Sequence, residues 1–148
     1  MHLIRVQILL SAIFHSVRYP DEAMSVTGEG TYTKRWRELL DSHARVNGAL
    51  ERALHDEHGL GVSEFEVLDR LAEADKDQRR MQELADSVHL SQSALSRLIG
   101  RLETDGLVSR VICSNDRRGI FACLTDEGRA RRDEALPTQR RVLEEQLG

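Results

Sequence analysis

Between Met81 and Leu124 the spacing of apolar residues changes abruptly, and that change limits the fold more than any other feature of the chain. Met81, Leu84, Ala85 and Val88 recur at intervals of three and four, the spacing of one helical face. His89-Leu90 leaves room only for a tight turn, and Ser91 has the side chain of a helix N-cap. Leu95, Leu98, Ile99 and Leu102 then fall at i, i+3, i+4 and i+7 until Asp105-Gly106 stops the pattern. Beyond it, residues 107–113 and 120–124 are β-branched and apolar, and 114–119 (SNDRRG) are all turn and charge. Two short helices about a tight turn, followed by a hairpin with a charged tip, specify a winged helix-turn-helix.

The flanking segments are helical. Within residues 36–58, Leu39, Leu40, Val46, Leu50 and Leu54 mark the stripe of a long amphipathic helix, which Gly59-Leu60-Gly61 ends with a left-handed cap. Ser63 and Glu66 have the spacing of a capping box for a second helix, with Phe65, Leu68, Leu71 and Ala72 on its buried face. Ala74-Asp75-Lys76-Asp77 reads as a polar connector. Thr125 caps a last helix whose first turn carries Asp126 and Glu127, where the helix dipole favours anions. Pro137 is expected to kink or break that helix. The fold class is therefore mainly α with a small β-hairpin wing (α+β).

A length of 148 residues suits one domain with a real core. The net charge of −4 excludes a protein basic all over, but the charge is unevenly placed. Residues 1–77 carry 9 Lys/Arg against 14 Asp/Glu, and residues 119–148 carry 5 against 6. Only residues 78–118 are basic, with 7 against 5, and all seven are arginine. Arginine's planar fork suits phosphates and base edges. Cys113 and Cys123 match no metal-binding spacing and make no disulfide scaffold, so reduced thiols are expected. No cofactor site, nucleophile–base pair, phosphate loop or paired-carboxylate site stands out, so the chain is not expected to be an enzyme. The apolar run within residues 1–23 is too short for a membrane span, and no clear cleavage site follows it. Met24 opens a polar stretch, as a natural start would. An over-extended start is one reading of residues 1–23, and a weakly helical arm is the other.

The helix opened by Ser91 is the candidate reader of DNA. With its leucines and Ile99 inward, its outward residues are Gln92, Ser93, Ser96, Arg97, Gly100 and Arg101. Glutamine and arginine pair bidentately with adenine and guanine in the major groove, and short serines allow close approach and phosphate contact. An ordinary solvated helix is the competing reading. Adjacent Arg117 and Arg118 at a loop tip repel one another, which makes sense if a tip arginine enters the electronegative minor groove, oriented by Asp116. Against that stands a solvated turn in which Asp116 merely caps the loop.

Met81-Gln82-Glu83-Leu84-Ala85, the stretch SQSALSRLIGRLETDG from Ser91 to Gly106, Leu107-Val108, Asp116-Arg117-Arg118-Gly119 and Leu124-Thr125-Asp126-Glu127-Gly128 follow one another in the order and spacing of the MarR (multiple-antibiotic-resistance regulator) family. The chain resembles that family over roughly residues 33–140. The resemblance implies a winged helix-turn-helix with N- and C-terminal dimerisation helices. Residues 33–148 would form this domain behind an extension of residues 1–32. The DNA-binding part would be about 63–124, and the dimerisation helices about 33–58 and 125–148. It further implies a cytoplasmic homodimer that binds an inverted-repeat operator in double-stranded DNA and represses transcription. Repression would be relieved by a small-molecule effector, often an aromatic acid, or by thiol oxidation. By the same resemblance the recognition helix maps onto residues 91–104, and the wing pair onto Asp116 and Arg118. The family also shows a further helix after the position of Pro137, which this chain is too short to complete.

Other residues carry weaker signals. Trp36 and His43 are candidates for lining an effector cleft, although interface or core positions would suit them as well. His55 and His58 have a spacing that holds zinc on a helix, but His58 near a helix C-terminus is favoured by the dipole alone, and no metal is expected. Peroxide-sensing relatives carry a reactive cysteine in the first helix, and this chain has none there. Cys113 and Cys123 would make a redox wing only if they faced one another across the hairpin. A winged helix used purely for protein assembly would have an acidic or apolar recognition face, which Gln92, Arg97 and Arg101 contradict.

Overall fold

The computed structural model describes residues 28–112 and 119–148. The elements follow as α1 (Gly28–His58), α2 (Val62–Ala72), a 3₁₀ turn (Asp75–Asp77), β1 (Gln78–Arg80), α3 (Met81–Ser87), α4 (Gln92–Thr104), β2 (Val108–Ile112), β3 (Ile120–Leu124) and α5 (Asp126–Leu147). The three strands form one antiparallel sheet in the order β1-β3-β2. Leu54, Phe65, Leu68, Leu71, Leu84, Leu95, Ile99 and Leu102 are all buried in one core, where α2, α3 and α4 converge on the base of the sheet. Removing a leucine of this kind from water contributes about 2–3 kcal/mol, so the apolar stripes are what hold α3 and α4 in place. Among the described residues, no helix is long and apolar enough to cross a membrane.

Several local expectations are corrected. α1 begins at Gly28, eight residues before Trp36. Its residues 30–35 are exposed and lie outside the apolar stripe that marked the helix in the sequence. The box at the start of α2 is not Ser63 with Glu66. The helix begins two residues earlier, and the Glu64 carboxylate accepts the N–H of Gly61 at 3.0 Å. Glu51 reaches across from α1 to accept the N–H of Val62 at 3.0 Å, satisfying a second orphan donor. Gly59 does take the left-handed conformation expected of it (φ 65°).

The connector after α2 leads into a third strand. Gln78, Arg79 and Arg80 pair with Cys123, Ala122 and Phe121. Nothing in the composition of Gln-Arg-Arg signals β-structure; its backbone is recruited by the free edge of β3. Pro137 does not break α5, which runs unbroken for 22 residues. Ala135, Thr138 and Val142 on either side of the proline are buried, and this packing holds the helix together where one backbone donor is missing. Finally, Cys123 stands opposite Ser109 and Gln78, not opposite Cys113, because Ile112 pairs with Ile120. Its thiol meets the Gln78 side chain at 3.7 Å, and burial pushes its pKa up, the reverse of a reactive thiolate. Cys113 itself, like residues 1–27, lies outside the described residues.

α1 and α5 lie against one another. Arg45 donates to the backbone and side-chain oxygens of Gln146 at 2.9 and 3.0 Å. At the other end His58 bonds the Thr138 hydroxyl, which donates to Glu57, and Glu57 also pairs with Arg141 at 2.6 Å. His58 is thus held by a hydroxyl. Among the described residues, no three His, Cys, Asp or Glu side chains gather as a metal site.

Candidate nucleic-acid interface

The turn into α4 is made by His89, whose φ is 54°, with Leu90 N–H bonded to Ala85 O at 2.9 Å. Ser91 is the N-cap, its hydroxyl accepting the N–H of Ala94 at 3.2 Å and lying 3.3 Å from the Ser93 hydroxyl. These bonds fix where α4 starts. Four inward residues fix how it is rotated: Leu95, Leu98, Ile99 and Leu102 are buried. The opposite side presents Gln92, Ser93, Ser96, Arg97 and Arg101, all exposed, so the five outward side chains read from the sequence do share one solvent face. The end of α4 is closed by Gly106 at φ 74°.

α5 is pinned to the foot of the hairpin by one residue. Thr125 Oγ1 accepts from Gly128 N–H at 3.0 Å and donates to Gly106 O at 2.7 Å. Gly128 packs so closely there that a Cβ would lie 2.0 Å from Leu107 O.

Two contacts at the reading face had no sequence signal of their own. Arg101 is exposed but not idle. Its Nε lies 3.3 Å from the Glu64 carboxylate, the same group that caps α2. Arg110 on β2 reaches over α4, donating from Nη2 to Ser96 O at 2.7 Å while Nη1 pairs with Glu103 at 3.3 Å. The strand position of Arg110 was legible, but its reach to another element depends on the angle between wing and helix.

A cavity of about 630 Å³ opens beside α4, between the C-terminal end of α1 and the start of α2, lined by residues that include His55, Glu64, Ala94, Arg97 and Arg101. Trp36 and His43 do not line it. Both are half-buried along α1, and His43 lies twelve residues, or about 18 Å of helix, before His55. Asp116, Arg117 and Arg118 fall outside the described residues; the strands that carry their loop end at Ile112 and begin again at Ile120.

A helix packed on one side, polar on the other and abutted by a hairpin is the arrangement found in known regulators. A family model described as "MarR family" matches residues 58–119. The structure is similar to that of AbsC, a MarR family transcriptional regulator from Streptomyces coelicolor, at 32% identity and a TM-score of 0.75, over 84% of this chain and 82% of that one. It is similar to the same degree (TM-score 0.75, 30% identity, 84% of this chain and 77% of the other) to a second Streptomyces coelicolor MarR family regulator, solved in complex with DNA. In sequence it is 34% identical over 101 residues to the HTH-type transcriptional repressor YetL of Bacillus subtilis, a match spanning 67% of this chain but 59% of YetL. The chain belongs to the MarR family of winged-helix, DNA-binding transcriptional regulators.

Proposed function

We propose that this protein is a cytoplasmic repressor that binds an inverted-repeat operator as a homodimer and is released from it by a small-molecule effector. The observation that carries the reading is the division of α4 into a buried face (Leu95, Leu98, Ile99, Leu102) and an exposed one offering Gln92, Ser96 and Arg97. Gln92 and Arg97 would read base edges in the major groove, while Ser91, Ser93 and Ser96 approach phosphates. Asp116, Arg117 and Arg118 would place the wing in the flanking minor groove. One recognition helix per chain makes too few base contacts for useful specificity. Two copies clasped through α1 and α5 would set their recognition helices about 34–36 Å apart, one turn of DNA. Repression is supported by the similarity to YetL, and duplex DNA as the partner by the similarity to the regulator solved in complex with DNA. The cavity beside α4 suits the effector better than Trp36 and His43, since an anionic ligand there would meet Arg97 and Arg101 directly.

A titration against operator and scrambled duplex at three salt concentrations tests this, with the operator selected from random duplexes by the protein itself. Arg97→Ala and Gln92→Ala should each cost about 1–3 kcal/mol per lost base contact on the operator only. Arg118→Ala should weaken binding to both duplexes and lower the salt slope by about 1.8 per dimer. Operator preference left intact in both helix variants would remove α4 as the reader.

A further inference from the structure

Gly100 is an anomaly in α4. Glycine in a helix interior costs roughly 1 kcal/mol relative to alanine, and the backbone here needs no glycine, since Gly100 is not among the positive-φ positions. Its surroundings are nearly open. The nearest atom a Cβ would meet is Nη2 of Arg110, at 3.9 Å. That nitrogen donates to Ser96 O, the carbonyl one helical turn before Gly100, at 2.7 Å. The other arm of the same guanidinium pairs with Glu103 at 3.3 Å, and Glu103 accepts the backbone N–H of Arg110 at 3.0 Å. A Cβ at position 100 would make only ordinary contact with this guanidinium, so any small residue there leaves a seat on the helix surface. The guanidinium of a β2 residue fills it and binds α4 at two points a little under two turns apart.

We propose that Arg110 is a positioning residue for sequence recognition: a strut that fixes the angle between wing and recognition helix, with Gly100 as its seat and Glu103 as its anchor. The inference rests on the reading of α4 as the DNA reader. Ser96 and Arg97 adjoin the strut's contact on the helix, so a small rotation of α4 moves the side chains meant for base edges. The buried stripe restrains α4 on its inner side, and the strut restrains it on the outer side. The guanidinium's five donors in a rigid fork can serve a carbonyl and a carboxylate together, whereas a lysine ammonium at the end of a flexible stem cannot span both. A fixed geometry is what base readout needs, whereas phosphate attraction tolerates looseness.

Arg110→Ala and Arg110→Lys, in the full chain, should each reduce preference for the selected operator over scrambled duplex by about tenfold. The slope of log affinity against log salt should stay at the wild-type value. Amide exchange at residues 96–100 should quicken in both variants without DNA, with little change in melting temperature. A drop in slope of about 1.8 per dimer that Arg110→Lys restores would make Arg110 a phosphate contact and overturn the proposal. Unchanged preference in both variants would overturn it as well. Gly100→Met gives an independent check. It should lose the same preference in the wild-type background and nothing further in Arg110→Ala. Additive losses would place the methionine against DNA instead of against the strut. If the wild-type protein preferred no duplex at all, the assignment of α4 as reader would fall, while the exchange data would still decide whether the strut exists.

Discussion

Arg132 of α5 and Asp69 of α2 pair at 2.6 Å with their side chains only 18% and 16% exposed, the best-shielded ion pair among the described residues. A second bond, from Arg132 Nε at 2.8 Å, reaches the same oxygen, so two donors converge on Asp69 Oδ1. The pair ties the long C-terminal helix to the winged-helix core within its first two turns. Arg129, one turn earlier, holds Asp77 in the connector before β1. Geometry and shielding set this pair apart from the surface pairs, whose usual contribution is under about 1 kcal/mol.

Replacing Asp69 with Ala leaves the Arg132 guanidinium partly desolvated with only its neighbour Asp133 for company. The expected loss is about 2–3 kcal/mol, read as a fall of several degrees in melting temperature. Lys34→Ala, which removes an exposed pair with Glu38, serves as the control and should change almost nothing. Equal effects from the two variants would mean that shielding is irrelevant here.

Two glycines in helices make opposite predictions. A Cβ at Gly128 would sit 2.0 Å from Leu107 O, a backbone atom that cannot step aside without opening the foot of the hairpin. Gly128→Ala should cost about 3 kcal/mol or more. At Gly100 the Cβ makes ordinary contact with Arg110, so Gly100→Ala should be neutral or stabilise by up to about 1 kcal/mol. Denaturant unfolding of both variants decides the matter. A Gly128→Ala protein as stable as the parent would contradict the packing described for Leu107.

The architecture was legible from residue spacing because the core is built from regular stripes. Leu95, Leu98, Ile99 and Leu102 announce both the existence of α4 and its rotation, and the N-caps Ser91 and Thr125 announce where helices begin. What the spacing did not reveal depends on tertiary contact. β1 is a strand because β3 offers it an edge, and α5 runs through Pro137 with Ala135, Thr138 and Val142 buried around it. The capping of α2 was read two residues late because Gly61 has no side chain to signal an N-cap, while one of its cap acceptors, Glu51, comes from another helix. The outward face of α4 was read correctly as a set. The engagement of Arg101 with Glu64 and the role of Arg110 were not, since each partner lies on an element whose orientation no local pattern encodes.

The Glu64–Arg101 contact makes a prediction about affinity rather than specificity. Glu64 holds Arg101 beside the reading face, and its carboxylate also repels an approaching phosphate backbone. Glu64→Gln keeps an acceptor for the Gly61 N–H and removes the charge. Binding should strengthen for operator and scrambled duplex alike, by a few-fold, in keeping with the modest strength of exposed pairs. The salt dependence should steepen as Arg101 is freed for phosphate. Weaker binding to both duplexes would show instead that the pair holds Arg101 in its working position.

Two glutamates should give the protein opposing pH responses. The pKa of Glu57 is lowered, chiefly by the hydrogen bond from Thr138 and then by the charge of Arg141. A group depressed in the folded state adds stability above its unfolded pKa and loses it as pH falls through the folded value. The clasp of α1 on α5 should therefore loosen only in acid, below the ordinary carboxylate range. Glu66 is the reverse case. Burial raises its pKa, only partly offset by Arg70, so its ionised form is disfavoured in the fold. Its contribution is complete below the unfolded carboxylate pKa and is lost as pH rises through the raised folded value. At neutral pH the ionised side chain is thus a net burden, which an uncharged isostere would lift. Glu66→Gln should raise the melting temperature at pH 7, and the gain should shrink as pH is lowered toward 4, where the parent glutamate is protonated. Glu57→Gln should do the opposite, lowering the melting temperature at pH 7 and ceasing to matter in acid. Melting curves of the parent and both variants from about pH 2 to pH 8 separate the two. A Glu66→Gln protein less stable than the parent at pH 7 would mean that the carboxylate has an ionic partner in solution strong enough to outweigh its burial.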